Sequence, residues 1–557
     1  MQDQARGLSI VFNGEIYNFV DLRNELSAAG YSFRSNTDTE VILAAYDFWG
    51  DKCLTRLNGM FAIAIFDARK RIVFLARDRA GEKPLFYRLE RGTLYFSSEL
   101  KGLLANPNLP RDVDPEALDS YLATGIVAGD RCILKGYNKL PAAHAMRFDL
   151  QAGDAKLWRY WQLPEFDNNS RSGDEESLLY ELETLLEDSV ARQMTADVPV
   201  GILLSGGVDS SLITAMAARR SSKLRTFCVG FPGHAKLDET AHARLIARHF
   251  GTEHTELVAE PTTADLLPVL ARQFDEPMAD SSMFPTYLLC NQVRTYCSVA
   301  LGGDGGDELF AGYNRYSNLL WIQRKLASIP IGMRRGISNL AGRFLPAGLK
   351  GKNYLQALGV DLQTNLPLLV TLFEPAHRRK LLRYSLDHPL NAEEDLLNRT
   401  PLEEDLLQRA TRMDFQNYLA DDILVKVDRC SMLASLEVRA PLLDYRLIEF
   451  AYRVVPSHLK AMNREKKILL KRLANLVLPS EFDKKRKQGF SIPMTDWLKA
   501  GPFRELFWDT LFASDCLFDT KVVTHLFKGQ DAGLNNSERL FALVQFEIWR
   551  KTHKVAL

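Results

Sequence analysis

An apolar run that ends in glycines, hydroxyls and one acid gives this chain its clearest chemical signal. Residues 200–204 are apolar and follow Pro199, which predicts a short buried strand. Directly after them comes Ser205-Gly206-Gly207-Val208-Asp209-Ser210-Ser211, and the alanines further on favour a helix. Because Gly206 and Gly207 let a ligand approach the backbone, their N–H groups and the helix start would form a positive pocket. The segment therefore predicts an anion site suited to phosphate.

Asp209 stands inside this pocket, where its charge would repel a bare phosphate. A magnesium ion removes the conflict, because it takes carboxylate and phosphate oxygens together. The segment lacks the Gly-x-x-x-x-Gly-Lys-Ser/Thr pattern of the common phosphate loop, so an ordinary ATPase is not indicated. It resembles instead the pyrophosphate loop of ATP-dependent synthetases that adenylate their substrate. The alternative is a structural glycine turn, which Ser-Gly-Gly alone would also satisfy.

A second group of acids follows another apolar run further along the chain. The segment Gly303-Asp304-Gly305-Gly306-Asp307-Glu308 comes directly after residues 299–301. Three acids among glycines cost backbone entropy and charge repulsion, which favours a functional site over a structural loop. Because ligands of an open parallel sheet bind where two such strand ends meet, we expect Asp209 and Asp307 to share magnesium and pyrophosphate. A solvated acidic turn is the alternative.

Strand and helix patterns alternate between these two segments, at 224–231, 241–250 and 251–256. This alternation predicts an α/β doubly wound parallel sheet, with a mostly helical elaboration beyond Tyr316. Residues up to about Asp149 instead alternate short strands and turns, which predicts an α+β domain on an antiparallel sheet. We divide the chain into a first domain at 1–150, a linker at 151–175 and a second domain at 176–557.

The composition narrows the class of protein. The 557 residues, 46% of them hydrophobic, suffice for two or three domains. Lys+Arg and Asp+Glu both number 70, so the balance predicts neither a nucleic-acid nor a membrane partner. The seven cysteines lack metal or disulfide spacing, and no run is apolar enough for a membrane span, so we expect a cytoplasmic enzyme. The basic run at 484–487 is either a solvated face or a phosphate contact.

Taken together, the motifs resemble the glutamine-dependent asparagine synthetases and their relatives that amidate other carboxylates. The resemblance covers essentially the whole chain, and several independent segments match in the right order. Besides the two acidic segments, the matching stretches are Val11 to Asn18, Asn36 to Glu40, Asp275 to Pro277, Asp280 to Ser282, Lys426 to Met432, Ser435 to Asp444, Glu465 to Lys467 and Lys487 to Pro493.

The resemblance implies roles for individual residues in both domains. In the first, which would be an N-terminal-nucleophile glutaminase, Asn13 and Gly14 would form an oxyanion hole, and Glu15 and Asp38 would hold the two ends of glutamine. Without the family, Asn-Gly is simply a good turn. In the second domain, the implied ATP and pyrophosphate contacts are Leu203, Ser205, Gly206, Gly207, Asp209, Ser210, Ser211, Val229 and Gly303.

Two further side chains would act on the reaction itself. The resemblance implies that Lys466 stabilises charge on the phosphates, although a surface lysine is the ordinary interpretation. Asp304 would take a proton from attacking ammonia, but several asparagine synthetases carry glutamate at the matching place. Because aspartate is shorter than glutamate, the difference leaves two candidates for the carboxylate that accepts ammonia. We expect aspartate, and the alternative is another carboxylate, such as a sugar uronic acid of surface polysaccharides.

The family's N-terminal cysteine nucleophile has no counterpart here, since the chain starts at Met1 and its first cysteine is Cys53. We expect that the sequence starts inside the glutaminase domain, because the strand Leu8 to Phe12 would otherwise lie at the exposed edge of an incomplete sheet. The alternative is that glutaminase activity has been lost and that ammonia comes from solution. The implied ligands are ATP, magnesium, aspartate and glutamine or ammonia, and a homodimer is possible within the family. Two other classes of function are less well supported. A thiolating adenylase that modifies tRNA should have a catalytic cysteine pair or a basic RNA-binding face, and the neutral charge and scattered cysteines indicate neither. A non-catalytic regulator would have no need to retain Asp209, Asp307 and Lys466.

Overall fold

The protein is described from a computed structural model of the 557-residue chain. The structure describes all residues except 168–173, 231–238, 259–263, 327, 368–370, 384–391, 402, 404, 485–491 and 557. The basic run predicted as a phosphate contact therefore lies almost entirely outside the described residues.

The first domain contains the strands β1 (Gln2–Asp3), β2 (Leu8–Ile16), β3 (Gly59–Asp67), β4 (Ile72–Arg77), β5 (Phe86–Glu90), β6 (Thr93–Ser97), β7 (Asn138–Lys139), β8 (His144–Asp149) and β9 (Asp154–Arg159). Among the described residues, six of them form an antiparallel sheet in the order β1-β2-β3-β4-β8-β9, and three form a second sheet in the order β6-β5-β7. The predicted antiparallel sheet is confirmed.

The helices of the first domain are α1 (Phe19–Ala28), α2 (Asp38–Trp49), α3 (Cys53–Arg56), α4 (Leu100–Leu104) and α5 (Pro115–Thr124). Apolar residues of α1 and α2 pack against β2, β3 and β4 in one core. The sheet extends past the predicted boundary at residue 150, because β9 pairs with β8 from His144 opposite Arg159 to Asp149 opposite Asp154. The start of the predicted linker thus belongs to the first domain.

The second domain is built on a parallel sheet whose strands are β10 (Val200–Leu203), β11 (Arg225–Gly230), β12 (Glu253–Val258), β13 (Val299–Leu301) and β14 (Glu437–Arg439). In the described part of the chain these strands run in the order β12-β11-β10-β13-β14, every pair parallel. The chain winds outward from β10 in both directions, so β10 and β13 flank the switch point of a doubly wound sheet. The doubly wound prediction is confirmed, although β14 comes from a segment that we assigned to the helical elaboration.

Helices surround this sheet and form most of the rest of the domain. They are α6 (Glu175–Gln193), α7 (Val208–Ala218), α8 (Thr240–Phe250), α9 (Leu266–Gln273), α10 (Met283–Val293), α11 (Gly306–Leu309), α12 (Asn314–Leu326), α13 (Ile331–Phe344), α14 (Lys352–Ala357), α15 (Pro375–Leu381), α16 (Ala392–Asn398), α17 (Leu406–Asp414), α18 (Leu424–Leu433), α19 (Tyr445–Arg453), α20 (Ser457–Lys460), α21 (Ile468–Val477), α22 (Met494–Trp497), α23 (Pro502–Leu511), α24 (Thr520–Asp531) and α25 (Ser537–His553). A short hairpin, β15 (Ala461–Met462) and β16 (Glu465–Lys466), precedes α21.

The two domains share one apolar core and several buried polar contacts. Residues of α4 and α5 pack against α9, α10 and α25. Across the interface, Lys83 Nζ lies 2.9 Å from Asp428 Oδ1, and each of these side chains is only 7% exposed. Asn58 Nδ2 also donates to Asp444 Oδ2 at 2.9 Å. These contacts therefore fix the position of the first domain against the second.

The substitution Asp428→Asn is expected to lower the free energy of unfolding by about 3–5 kcal/mol, because it removes the carboxylate that is paired directly with the buried ammonium of Lys83. Asp428 also accepts from Arg429 Nη1 at 2.7 Å, so a second buried cation loses a partner. Urea unfolding followed by circular dichroism measures the change. The control Asp515→Asn alters a carboxyl whose side chain is 59% exposed and is expected to cost less than about 1 kcal/mol. Equal midpoints for the two variants would contradict the prediction.

Candidate functional site

Two acidic side chains from neighbouring strand ends meet at the switch point of the parallel sheet. Asp209 lies in the first turn of α7, directly after β10, and Asp307 lies in α11, directly after β13. Both carboxylates contact the ammonium of Lys467, with Nζ 2.6 Å from Asp307 Oδ1. The two strand ends that we expected to share a ligand site therefore meet at one place in the fold, which we call the crevice.

The lysine at this place is Lys467, whereas the sequence pointed to its neighbour. Lys466 Nζ instead donates to Asn314 Oδ1 at 2.6 Å in an exposed contact. Lys466 belongs to β16, and Lys467 adopts a left-handed backbone conformation (φ 53°, ψ 41°) at the start of α21. This turn sends the two side chains in different directions. Burial alone would lower the pKa of Lys467, but Asp209 and Asp307 outweigh it and raise that pKa above its usual value.

The acidic segment after β13 packs tightly against Asp209. A Cβ atom on Gly306 would lie 2.6 Å from Asp209 Oδ1, and one on Gly303 would lie 3.2 Å from Asp209 Cβ. A side chain at position 306 would therefore push the two acids apart. The glycines among these acids let the second strand end approach the first.

The residues predicted to bind pyrophosphate fall into two groups. Ser205 is exposed, and its hydroxyl lies 3.1 Å from that of Ser210, while Gly206 and Gly207 form the turn into α7. Ser211 is 0% exposed, and its Oγ is enclosed without a hydrogen-bond partner among the described residues. Ser205, in the turn before α7, is thus accessible to a ligand, whereas the hydroxyl of Ser211 is enclosed by the protein.

Asp304 lies beside the acid pair, in the turn before α11. Burial and the charges of Asp209 and Asp307 raise the pKa of Asp304, although Lys426 opposes this shift. Lys426 Nζ in turn contacts Asp280 Oδ2 at 2.7 Å. Both Lys426 and Asp280 belong to segments that we singled out by resemblance, but we assigned them no role. Lys426 thus lies near Asp304 while it is paired with Asp280.

The residues predicted to bind glutamine gather at the end of β2. Gly14 has φ +150°, and a Cβ atom there would lie 2.0 Å from the carbonyl oxygen of Met60 on β3, so only glycine fits. Asn13 is half-buried on the same strand. Asp38 Oδ2 accepts the backbone N–H of Ile16 at 3.0 Å, and Asp38 lies close enough to Glu15 to influence its titration. Glu15 and Asp38 are therefore neighbours in the fold.

Glu15 faces the second domain, a contact that the sequence analysis did not predict. Its Oε2 lies 3.4 Å from Arg439 Nη2, at the end of β14. The carbonyl of Arg439 accepts the N–H of Gly302, at the entry to the acidic segment, at 2.8 Å. Burial raises the pKa of Glu15 to about 7, against the opposing charge of Arg439. One arginine thus lies between the acid group of the first domain and the crevice of the second.

The remaining predicted contacts lie on the two central strands. Leu203 is the last residue of β10 and is half-buried, whereas Val229 is buried near the end of β11. Both lie at or near the carboxyl ends of their strands, and their predicted contact with ATP stays a prediction.

An antiparallel domain joined through a shared core to a doubly wound domain, with acids and glycines at the switch point, defines a two-domain enzyme of the carbon–nitrogen ligase class. The chain belongs to the asparagine synthase family, whose model matches residues 181–551, and a glutamine amidotransferase domain model matches residues 1–161.

Named relatives agree with this assignment. Asparagine synthetase [glutamine-hydrolyzing] 1 of Bacillus subtilis is 32% identical over 97% of this chain and 85% of its own length. Asparagine synthetase [glutamine-hydrolyzing] 3 of the same organism is 31% identical over 88% of this chain and 78% of its own. Asparagine synthetase B of Escherichia coli is 31% identical over 56% of this chain and 53% of its own length.

The described residues include no helix that is long and apolar enough to cross a membrane. They also contain no cluster of three or more histidine, cysteine or acidic side chains arranged to hold a metal by themselves. Two carboxylates, such as Asp209 and Asp307, suit magnesium that is bound together with phosphate oxygens.

Proposed function

We propose that this enzyme makes asparagine from aspartate, ATP and ammonia, and that its first domain binds glutamine as the source of the ammonia. The observation that carries the proposal is the meeting of Asp209, Asp307 and Lys467 beside the phosphate-type loop at the switch point. The relatives named as glutamine-hydrolysing asparagine synthetases support the same reaction.

The reaction joins two steps at one crevice. The side-chain carboxylate of aspartate attacks the α-phosphorus of ATP and releases pyrophosphate, and ammonia then displaces AMP from the acyl carbon. Ser205 and the N–H groups of Gly206 and Gly207 would bind the leaving pyrophosphate, and Lys467 would neutralise its charge. Magnesium held by Asp209 and Asp307 would supply further charge neutralisation. The side chains and backbone of this enzyme would therefore act by positioning the reacting groups and by neutralising the charge on the phosphates.

Asp304 would act in the second step. Ammonia must lose a proton as it forms the amide, and a carboxylate with a raised pKa accepts that proton more readily than an ordinary aspartate. The substitution Asp304→Asn is therefore expected to leave the first step intact but to slow amide formation by about a hundredfold. Rapid-quench measurement should show about one pyrophosphate per chain, followed by stalling. If release of pyrophosphate and formation of amide fall equally, Asp304 does not act in the second step alone.

Coupling between the two domains is supported by contacts that link the predicted glutamine site to the second domain. Glu15 contacts Arg439, and the carbonyl of Arg439 accepts the N–H of Gly302 at the entry to the acidic segment. Arg439 would therefore connect the glutamine site to the segment that contains Asp304.

Glutamine binding is expected to strengthen as the pH rises through 7. Glu15, with its pKa raised to about 7 by burial, must be ionised to hold the ammonium group of glutamine. Between pH 6 and pH 8 the ionised fraction grows about tenfold, so the Kd measured by calorimetry should fall by about that factor. In Glu15→Gln the Kd should be high and independent of pH, whereas the control Glu25→Gln should behave like the unchanged protein. Equal affinities at pH 6 and pH 8 would exclude this role for Glu15.

A second acceptor has one specific observation in its favour. Asp304 is one methylene shorter than the glutamate of several asparagine synthetases, so a bulkier carboxylate, such as a sugar uronic acid, could occupy the added space. The test of the function is pyrophosphate release from ATP and magnesium with either acceptor, first with ammonium and then with glutamine. Release that depends on aspartate supports asparagine synthesis, and release that depends only on the uronic acid overturns it. Activity with ammonium but not with glutamine would confine the function to the second domain.

A further inference from the structure

The segment from residue 309 to residue 360 contains eight lysines and arginines and not one acid, although acids make up 70 of the 557 residues. The zero net charge of the whole chain conceals this local excess. The segment includes α12, α13 and α14, to which the proposed function assigns no role.

The middle helix, α13, presents an apolar stripe to solvent. Met333, Ile337, Leu340 and Phe344 are spaced by four, three and four residues, so they lie on one side of the helix. They are 65%, 42%, 59% and 70% exposed. Soluble surfaces rarely leave four large apolar side chains aligned in this way, which marks an interaction surface.

The side of α13 next to this stripe packs against the protein. Ala341 is buried there, and Ser338 Oγ donates to the backbone carbonyl of Gln356 on α14 at 2.8 Å. Arg334 donates to the carbonyls of Leu358 and Val360, both at 3.4 Å. These contacts fix the rotation of α13 about its axis, so that its apolar stripe is held towards solvent.

Exposed basic residues accompany the stripe. Arg335 and Arg343 lie on α13 itself, Lys350 follows it, and Lys325 ends the exposed side of α12. On the neighbouring helices Trp321 and Tyr354 are 55% and 46% exposed. An apolar stripe with lysine and arginine around it, and with exposed aromatic rings nearby, is the pattern of a helix that lies in the surface of an anionic membrane.

We propose that α13 binds this enzyme to the surface of membranes that contain anionic lipids. The stripe would enter the boundary between headgroups and acyl chains, and the arginines would face the headgroup charges. A second copy of the chain is the less favourable occupant, because two such faces would bring basic residues together with no acid from this segment to pair them. Nucleic acid would satisfy the charges but not the apolar stripe. The inference does not depend on which acceptor the crevice takes.

Flotation of the whole protein with lipid vesicles tests the proposal. Vesicles with roughly a third anionic phospholipid should carry the protein upward at about 0.1 M salt, and purely zwitterionic vesicles should not. Binding should fall by at least about tenfold in the double variant Leu340→Ser/Phe344→Ser, and it should weaken markedly in Arg335→Gln/Arg343→Gln. The control Leu476→Ser changes a leucine that is 67% exposed on α21, and it should leave binding unchanged.

Two kinds of result would overturn the proposal. The first is a negative flotation result: either the protein does not float with anionic vesicles, or the serine variant floats as well as the unchanged protein. The other is a dimer, seen by sedimentation without lipid, that the serine variant dissociates while vesicle binding is absent; the stripe would then be a contact between copies. Because all four substituted side chains are on the surface, unchanged thermal unfolding of each variant confirms that any loss comes from the surface and not from the fold.

Discussion

Replacing Lys467 by methionine is expected to lower acceptor-dependent pyrophosphate release by about a hundred- to a thousandfold. Its ammonium contacts both Asp209 and Asp307, so it is the cation placed to neutralise charge as the phosphate bond breaks. The same replacement at Lys466 should change the rate by less than about threefold, because that side chain contacts Asn314 in an exposed position. Steady-state release of pyrophosphate measures both variants.

The neighbouring lysines are closely matched controls for each other, since they differ by one position and share a side chain. A structural role for Lys467 would reduce thermal stability without affecting magnesium. A role at the phosphates predicts a further effect: without the ammonium, Asp209 and Asp307 should bind magnesium more tightly, and added magnesium should raise the Tm of Lys467→Met more than that of the unchanged protein. A large loss of rate in Lys466→Met, with Lys467→Met nearly unaffected, would return the role to Lys466.

Asp307→Asn and Asp209→Asn are expected to reduce pyrophosphate release by about a thousandfold each, and to raise the magnesium concentration needed for half-maximal rate. Each substitution removes one of the two carboxylates that meet at the switch point. Because the acids would act on one ion, the double variant should be little worse than either single variant.

The control for the acid pair is Asp154→Asn, which alters an exposed carboxyl on β9 and should change neither the rate nor the magnesium dependence. Since Lys467 depends on both acids for its partners, thermal unfolding should accompany the kinetic measurement. A variant that folds normally and yet keeps its full rate at low magnesium would remove Asp209 or Asp307 from the site.

The variants at the crevice are expected to differ in the step of the reaction that they block. Loss of Asp209, Asp307 or Lys467 should abolish the first step, whereas loss of Asp304 should stall the enzyme after it. A non-catalytic regulator would show none of these differences.

Much of the site could be predicted from the sequence because its parts are local. A short apolar run followed by Ser205-Gly206-Gly207 specifies a strand, a turn and a helix start within a few residues, and the acids around Gly303 and Gly306 do the same at β13. The rule that ligands bind at a switch point then brings the two segments together without any further information. The parallel sheet and the antiparallel first domain follow from patterns of the same short range.

Only the tertiary structure decided which side chains face one another. Lys466 and Lys467 are indistinguishable in sequence, and Lys467, which has a left-handed backbone, contacts both members of the acid pair. The pairing of Glu15 with Arg439, the fifth strand supplied by residues 437–439 and the outward rotation of α13 each depend on contacts between distant segments. Local patterns fix the conformation of a few neighbouring residues, whereas the direction of a side chain and its partner depend on how the whole chain packs.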